Sequence, residues 1–243
     1  VAQGGQALVG GVVNKGDERL TVKVGLQCLS APGQESGTSV NVRKQIRVNG
    51  VPCLASELVG RVTAVAFTAA DIELVQGAPA QRRRYLDILI SQLDAPYLRA
   101  LQRYQRVVFQ RNQLLRLVRE GRASQEELYF WDGELVREGA YITFKRREVL
   151  DAISAVAQEV HRALTGGREL LVLTYHPSVE CPAGAGAGDV ASTFRGLLTS
   201  LRAREVGQGT TLLGPHRDDL KLLVHGVDMG LYASRGQART LAL

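Results

Sequence analysis

Cysteine is scarce: the chain has three, Cys28, Cys53 and Cys181, an odd number set far apart, with no Cys-x-x-Cys spacing and no histidine cluster beside them. That pattern argues against a disulfide framework or a zinc knot, and the three are read as reduced thiols. Long apolar runs are missing too. Every hydrophobic stretch is broken by charge or glycine before the roughly 20 residues that cross a bilayer, and no secretory h-region is visible, so a cytoplasmic protein is expected. No Gly-x-x-x-x-Gly-Lys-Ser/Thr run occurs, and no apolar strand ends in paired acids. There is no repeat with a period of 20 to 50 residues and no Gly-x-Ser-x-Gly elbow.

What is present is enough for a real core: 45% of the 243 residues are hydrophobic, which suits one large domain or two modest ones. Lys plus Arg number 30 against 24 Asp plus Glu, a net charge of +6. This mild excess favours polyanionic partners without specifying one.

The first third reads as antiparallel β-structure. Leu20 to Leu26 alternate, and Val42 to Val48 run into Asn49-Gly50, a pair that favours a tight hairpin with a returning strand from Val51. Arg61 to Thr68 is nearly continuous in apolar residues and predicts a strand covered on both faces. From Asp71 the period becomes helical. Pro79 and Pro96 suit first-turn positions and Asp94 suits a cap, which places helix starts near 79 and 95.

In the second of these helices Tyr97, Leu101, Tyr104, Val108 and Leu115 share one face, opposite Arg99, Arg103 and Arg106. Gly121 ends it, and Ser124 with Glu127 reads as a capping box opening a long helix. The seam of that helix, Trp131, Leu135, Ile142, Val149, Ile153, Val156, Val160 and Leu164, has the spacing of a helix packed lengthwise. Gly166 and Gly167 stop it. A strand near 170–175, a Gly/Ala-rich loop over 182–188, a helix over 190–204, strands near 210–213 and 220–224, and a helix beginning within 236–243 complete the prediction.

Three segments carry candidate chemistry. Ser234-Arg235-Gly236-Gln237 sets a hydroxyl and a glycine at a helix start, where unbonded N–H groups attract phosphate oxygens; an ordinary serine cap has the same residues. In Gly214-Pro215-His216-Arg217-Asp218-Asp219-Leu220 the paired acids would point to opposite faces of a strand, which argues against a metal site. For His216 as a general base, no partner can be named from the sequence. Arg217 and Asp218 are expected to form, with His216, a network bracing the phosphate-binding segment. Arg82, Arg83 and Arg84 fan around a helix, so they cannot grip one ligand. Two readings stay open for them, a solvated turn with a salt bridge to Asp87 and contact with a phosphate backbone.

In order along the chain, Phe67 through Gly77, Pro79, Arg82-Arg83 and Leu86-Asp87, then Gly-Pro-His-Arg-Asp-Asp-Leu, then Ser-x-Gly-Gln-x-Arg-Thr-Leu-Ala-Leu resemble the RecF family of bacterial recombination mediators, relatives of the SMC head domains. Arg111-Asn112 and Trp131-Asp132 match as well; Ala69-Ala70 departs from the Ser/Pro-type turn more common there. The resemblance implies a mixed α/β fold: part of an ABC-type ATPase head with an antiparallel β segment, and an inserted helical arm. Residues 1–70 and 208–243 would belong to the head and 71–207 to the arm.

It implies that Ser234, Arg235, Gly236 and Gln237 are the signature that meets ATP held by the opposite subunit of an ATP-dependent homodimer. It further implies binding to single-stranded DNA and double-strand to single-strand junctions, RecR- and RecO-type partners, and a place in gap repair and the SOS response. The basic residues expected at DNA are Arg82, Arg83, Arg84, Arg99, Arg103 and Arg106. The nucleotide-gripping lysine and the Mg2+ ligands lie outside the matched stretch in the family, so ATP and Mg2+ are expected in a full-length parent and not on this chain alone. Two other classes compete with this reading: a protein-interaction module built on the helical arm, and a hydrolase using Ser234, His216 and Asp218.

Overall fold

A computed structural model describes residues 5–29, 41–182 and 184–243. The fold combines helices with two antiparallel sheets, as expected. By backbone proximity it separates into residues 1–64 and 65–243.

The first unit is a meander of β1 (Gln6–Lys15), β2 (Glu18–Leu29), β3 (Asn41–Val48) and β4 (Val51–Cys53), paired in that order, with a short helix α1 (Ala55–Leu58) after it. Asn49 and Gly50 have φ of 50° and 84°, the left-handed pair that matches the twist of a two-residue hairpin. The Asn49 side chain also accepts from Thr21 N (2.8 Å), tying this turn to β2. Leu20, Ile46 and Val48 are buried.

The strand expected over 61–68 does not form. Val62 makes one isolated bridge to Val59, and residues 63–68 join neither sheet. An apolar run becomes a strand only alongside another that takes its backbone groups, and here Val65 is left 95% exposed.

The second unit begins with a 3-10 turn (Ala69–Ile72) and α2 (Glu73–Gln76). Then come α3 (Pro79–Leu93), α4 (Ala95–Arg119), α5 (Leu128–Leu164), β5 (Leu171–His176), α6 (Ala187–Gln208), β6 (Asp219–Val224), β7 (Val227–Asp228), α7 (Met229–Tyr232) and α8 (Arg235–Ala242). The capping signals work as read. Pro79 and Pro96 sit in first turns and Asp94 accepts from Tyr97 N at 2.9 Å. Ser124 and Glu127 exchange capping bonds across the 3-10 turn ahead of α5. Strands β5, β6 and β7 make a small antiparallel sheet.

The core lies where α3 and α5 pack on this sheet and α4 and α6 pack on α5, around Tyr97, Tyr104, Leu135, Ile142, Phe194 and Leu222. Gly139 makes the approach possible, since a Cβ there would stand 2.7 Å from the Phe194 ring and 3.1 Å from Tyr104.

The seam of α5 is buried at Leu135 and Ile142 but exposed at Val156, Val160 and Leu164, because the second half of the helix turns Ile153, Ala157 and the buried His161 inward instead. Residues 210–213 are not a strand. Side chains take the place of a ladder: Thr211 N donates to Asn112 Oδ1 (2.7 Å) and Leu212 N to Glu205 Oε1 (2.8 Å). The 182–188 loop is shorter than read, because α6 starts at Ala187; Ala183 lies outside the described residues. Among the described residues no helix is long and apolar enough to cross a membrane, and no cluster of His, Cys, Asp and Glu could hold a metal ion.

Candidate nucleotide-contacting helix start

Ala238 and Leu241 bury one side of α8 and fix the helix, which leaves Ser234 through Gln237 at the surface. Ser234 is the cap: its Oγ accepts from Gln237 N (3.3 Å), and its own N–H donates to Gln237 Oε1 (3.1 Å). The N–H groups of Arg235 and Gly236 precede the first intrahelical bond, from Ala238 N to Ser234 O, so they belong to the unsatisfied positive end of the helix. A Cβ on Gly236 would meet nothing nearer than Ser234 Oγ at 4.0 Å, so the approach from solvent is open. The residue before the cap is held from elsewhere in the unit: Gln76 Nε2 donates to Ala233 O at 2.7 Å.

The Gly214–Asp219 run is a hub of hydrogen bonds. Gly214 has φ of 118° and packs where a side chain would strike the Tyr104 hydroxyl and the Phe194 ring. Its N–H donates to Ser178 Oγ at 2.8 Å. Pro215 O accepts from Arg146 Nη1 (2.7 Å), and Arg146 also donates to Asp87 (2.8 Å). His216 Nδ1 is 2.6 Å from the Tyr104 hydroxyl, and its Nε2 is 3.2 Å from Thr211 O. Burial pushes the His216 pKa down to about 4, with Arg217, Arg83 and Arg111 adding to the shift and the Thr211 bond opposing it. The neutral ring then donates from Nε2 and accepts at Nδ1. Burial, and then Asp218, raise the Tyr104 pKa well above 10, which keeps that hydroxyl a donor.

Asp218 is fully buried. Its carboxylate accepts from the Tyr175 hydroxyl and from Ser178 N (2.7 Å). Arg217 stays exposed and donates to Thr211 O at 2.9 Å. His216 and Asp218 therefore have partners other than each other, and the hydrolase arrangement of Ser234, His216 and Asp218 is not assembled.

Asp219, which the sequence reading left without a role, connects this hub to the helix start. Arg82 grips it through two bonds, 2.8 and 3.0 Å, and donates as well to Val75 O (3.3 Å) and Gly77 O (2.8 Å) at the end of α2. Gln76, the residue between, holds Ala233. The path runs Asp219, Arg82, α2, Gln76, Ala233, Ser234. Arg82 is buried among these contacts, and Arg83 donates to Asp218 O at 2.8 Å.

The salt bridge to Asp87, part of one of the two readings of this arginine run, does not form: Asp87 accepts from Arg146 and Tyr97. Arg103 is bonded to Glu138 (2.9 Å). Arg84, Arg99 and Arg106 are exposed and have no ion pair among the described residues.

The Arg111-Asn112 and Trp131-Asp132 pairs are joined through Arg111 and Asp132. Arg111 is wholly buried, bonded to Asp132 (2.8 Å), Glu205 (2.5 Å) and Thr211 Oγ1 (2.9 Å). It joins α4, α5 and α6 to the loop ahead of the hub. An arginine with an adjacent amide inside a helix otherwise apolar on that face was the available signal.

No family model matches the chain. It is 42% identical over 214 residues to the DNA replication and repair protein RecF of Chloroflexus aggregans, a match covering 86% of this chain and 55% of that protein. It is 45% identical over 210 residues to the protein of the same description from Roseiflexus castenholzii, covering 82% and 52%. The chain thus spans about half the length of the curated relatives it matches. Among solved structures it is similar to that of the recombination mediator protein RecF-ATPrS in the RecFOR pathway, with a TM-score of 0.83, 28% identity, and coverage of 98% of this chain and 61% of that one. The RecF-ATP structure gives a TM-score of 0.77 at 28% identity, covering 94% and 62%.

Proposed function

We propose that this chain, which belongs to the RecF family over the stretch it shares with those relatives, supplies the signature half of an ATP-dependent dimer interface in a DNA-repair protein. In this reading Ser234, Gly236 and Gln237 meet the γ-phosphate of ATP seated on a sister copy. Gly236 lets the phosphate reach the backbone, the N–H groups of the first turn and the Ser234 hydroxyl donate to it, and Gln237 adds its amide. The observation that carries the reading is the open helix start, capped but uncovered, and tied through Gln76, α2 and Arg82 to Asp219. The lysine that grips the nucleotide and the Mg2+ ligands would come from parts of the full-length protein beyond this chain. When bound, ATP would supply the charge that draws two copies together.

The remaining parts of the proposal are DNA binding at single strands and junctions, RecR- and RecO-type partners, and action in replication, gap repair and the SOS response in the cytoplasm. Support comes from the names of the relatives and from the exposed cations Arg84, Arg99 and Arg106. The test is Ser234→Arg in the full-length protein. The expected outcome is loss of ATP-dependent dimerisation, read by light scattering, with ATP binding retained. Normal dimerisation would favour an interaction module instead, a reading that the uncovered stripe Val156, Val160 and Leu164 on α5 keeps in play.

A further inference from the structure

Along the side of α4 that faces the start of α5 runs a shallow trough. One part, of about 750 Å³, lies between Gln102, Arg106, Phe109 and Trp131. A second, of about 460 Å³, lies between Pro96, Arg99, Arg137 and Tyr141. Arg103 lines both, so the two are adjacent. From Pro96 to Gln110 the trough follows the helix for about 21 Å at 1.5 Å per residue.

Its chemistry is of two kinds. Four arginines, 99, 103, 106 and 137, line it against two acids, Glu134 and Glu138. Glu138 lies beneath, 4% exposed in its side chain, while Arg103 and Arg137 above it are 51% and 60% exposed. The buried carboxylate accepts from Arg103 Nε and Nη2 (2.9 and 3.0 Å) and from Arg137 Nε and Nη2 (3.0 and 2.8 Å). It therefore sets two guanidinium groups side by side, and Glu134 holds Arg137 further by accepting from its Nη1 and Nη2 at 2.6 Å each. At one end Phe109 is 60% exposed, beside Trp131.

We propose that this trough holds a short single-stranded DNA segment, its phosphates along Arg99, Arg103 and Arg106 and one base stacked on Phe109. Cationic tracks with an aromatic platform suit single strands, because a base must be unpaired to stack on a side chain. A duplex would present phosphates but no free base face. The trough's length fits the short end of the roughly 4–16 nucleotides that such sites take. Gln102, Gln105 and Gln110, spaced along the same wall, offer amides to base edges. The inference rests on the DNA-binding part of the reading above and is independent of its ATP part.

The experiment uses this chain and a fluorescein-labelled oligothymidylate, read by anisotropy over a salt series. Arg99→Gln with Arg106→Gln is expected to weaken binding and to flatten the log-log salt slope by about 1.4, at about 0.7 per lost phosphate contact. Phe109→Ala is expected to weaken binding about tenfold with the slope unchanged, and Phe109→Tyr to restore it. Glu138→Gln, checked for retained helicity, is expected to weaken binding even though it removes a negative charge, since the arginine pair loses its seat.

If the chain binds the oligonucleotide but these variants do not alter it, the trough is wrong and DNA binding lies elsewhere. If the unmodified chain binds no oligonucleotide, both the trough and the DNA part of the reading fall. Equal affinity for a blunt duplex, with Phe109→Ala silent, would overturn base stacking, and so would preferential binding of a glutamate-rich peptide at the same residues.

Discussion

At the scale of single residues the functional loops are held by buried charge. Arg111 is the sharpest case: its removal would leave the fully buried Glu205 without a cation and Asp132 with Arg202 alone. Arg111→Ala is expected to cost about 3–5 kcal/mol in urea unfolding, the penalty for orphaning buried partners of an ion pair. Arg111→Lys should not rescue it, because a single ammonium cannot reach Asp132, Glu205 and Thr211 together. His216 gives a pH signature. Its pKa near 4 when folded lies below the ordinary 6.5, so the unfolded chain binds the extra proton first as pH falls. Stability contributed by the neutral ring is complete above about 6.5 and declines as pH drops toward 4, by on the order of 3 kcal/mol at the lower limit. Urea midpoints from pH 7 to 4.5 should show that decline, and His216→Asn should reduce it.

At the scale of elements the sequence was most legible where a local rule decides the outcome. Pro79, Asp94 with Pro96, and Ser124 with Glu127 marked three helix starts, and Asn49-Gly50 marked the hairpin, because capping and turn chemistry depend on neighbours in sequence. The two strands misread, 61–68 and 210–213, are apolar runs whose fate depends on what lies beside them. The first joins no sheet, and the second is held by Asn112 and Glu205 from distant helices. The basic face of α4 was visible from its period. That Arg103 is shared with a buried glutamate 35 residues away was not. Close packing gives a further test at this scale. Gly139→Ala should destabilise the α4, α5 and α6 junction by about 1–3 kcal/mol, read as a lowered Tm, since its Cβ would press on Phe194.

At the scale of the whole molecule, the sequence motifs that seemed separate are joined by one chain of contacts. The Gly214–Asp219 hub meets α5 through Arg146, the loop ahead of it meets α4 through Arg111, and the hub meets the helix start through Arg82 and α2. The family order of these segments was readable without coordinates; the path between them was not, because Arg82 and Asp219 stand 137 residues apart. Arg82→Ala should therefore lower ATP-dependent dimerisation of the full-length protein without touching nucleotide affinity, and Arg82→Asp with Asp219→Arg should recover part of it.

The most direct measurement is photo-crosslinking with a γ-phosphate-modified ATP in a mixed dimer, where one copy has lost its nucleotide-gripping lysine and carries a mass tag. The account predicts adducts on residues 234–237 of the tagged copy, which can meet the γ-phosphate only from across the interface. Adducts confined to the nucleotide-binding copy, or placed on the tagged copy away from the start of α8, would contradict it.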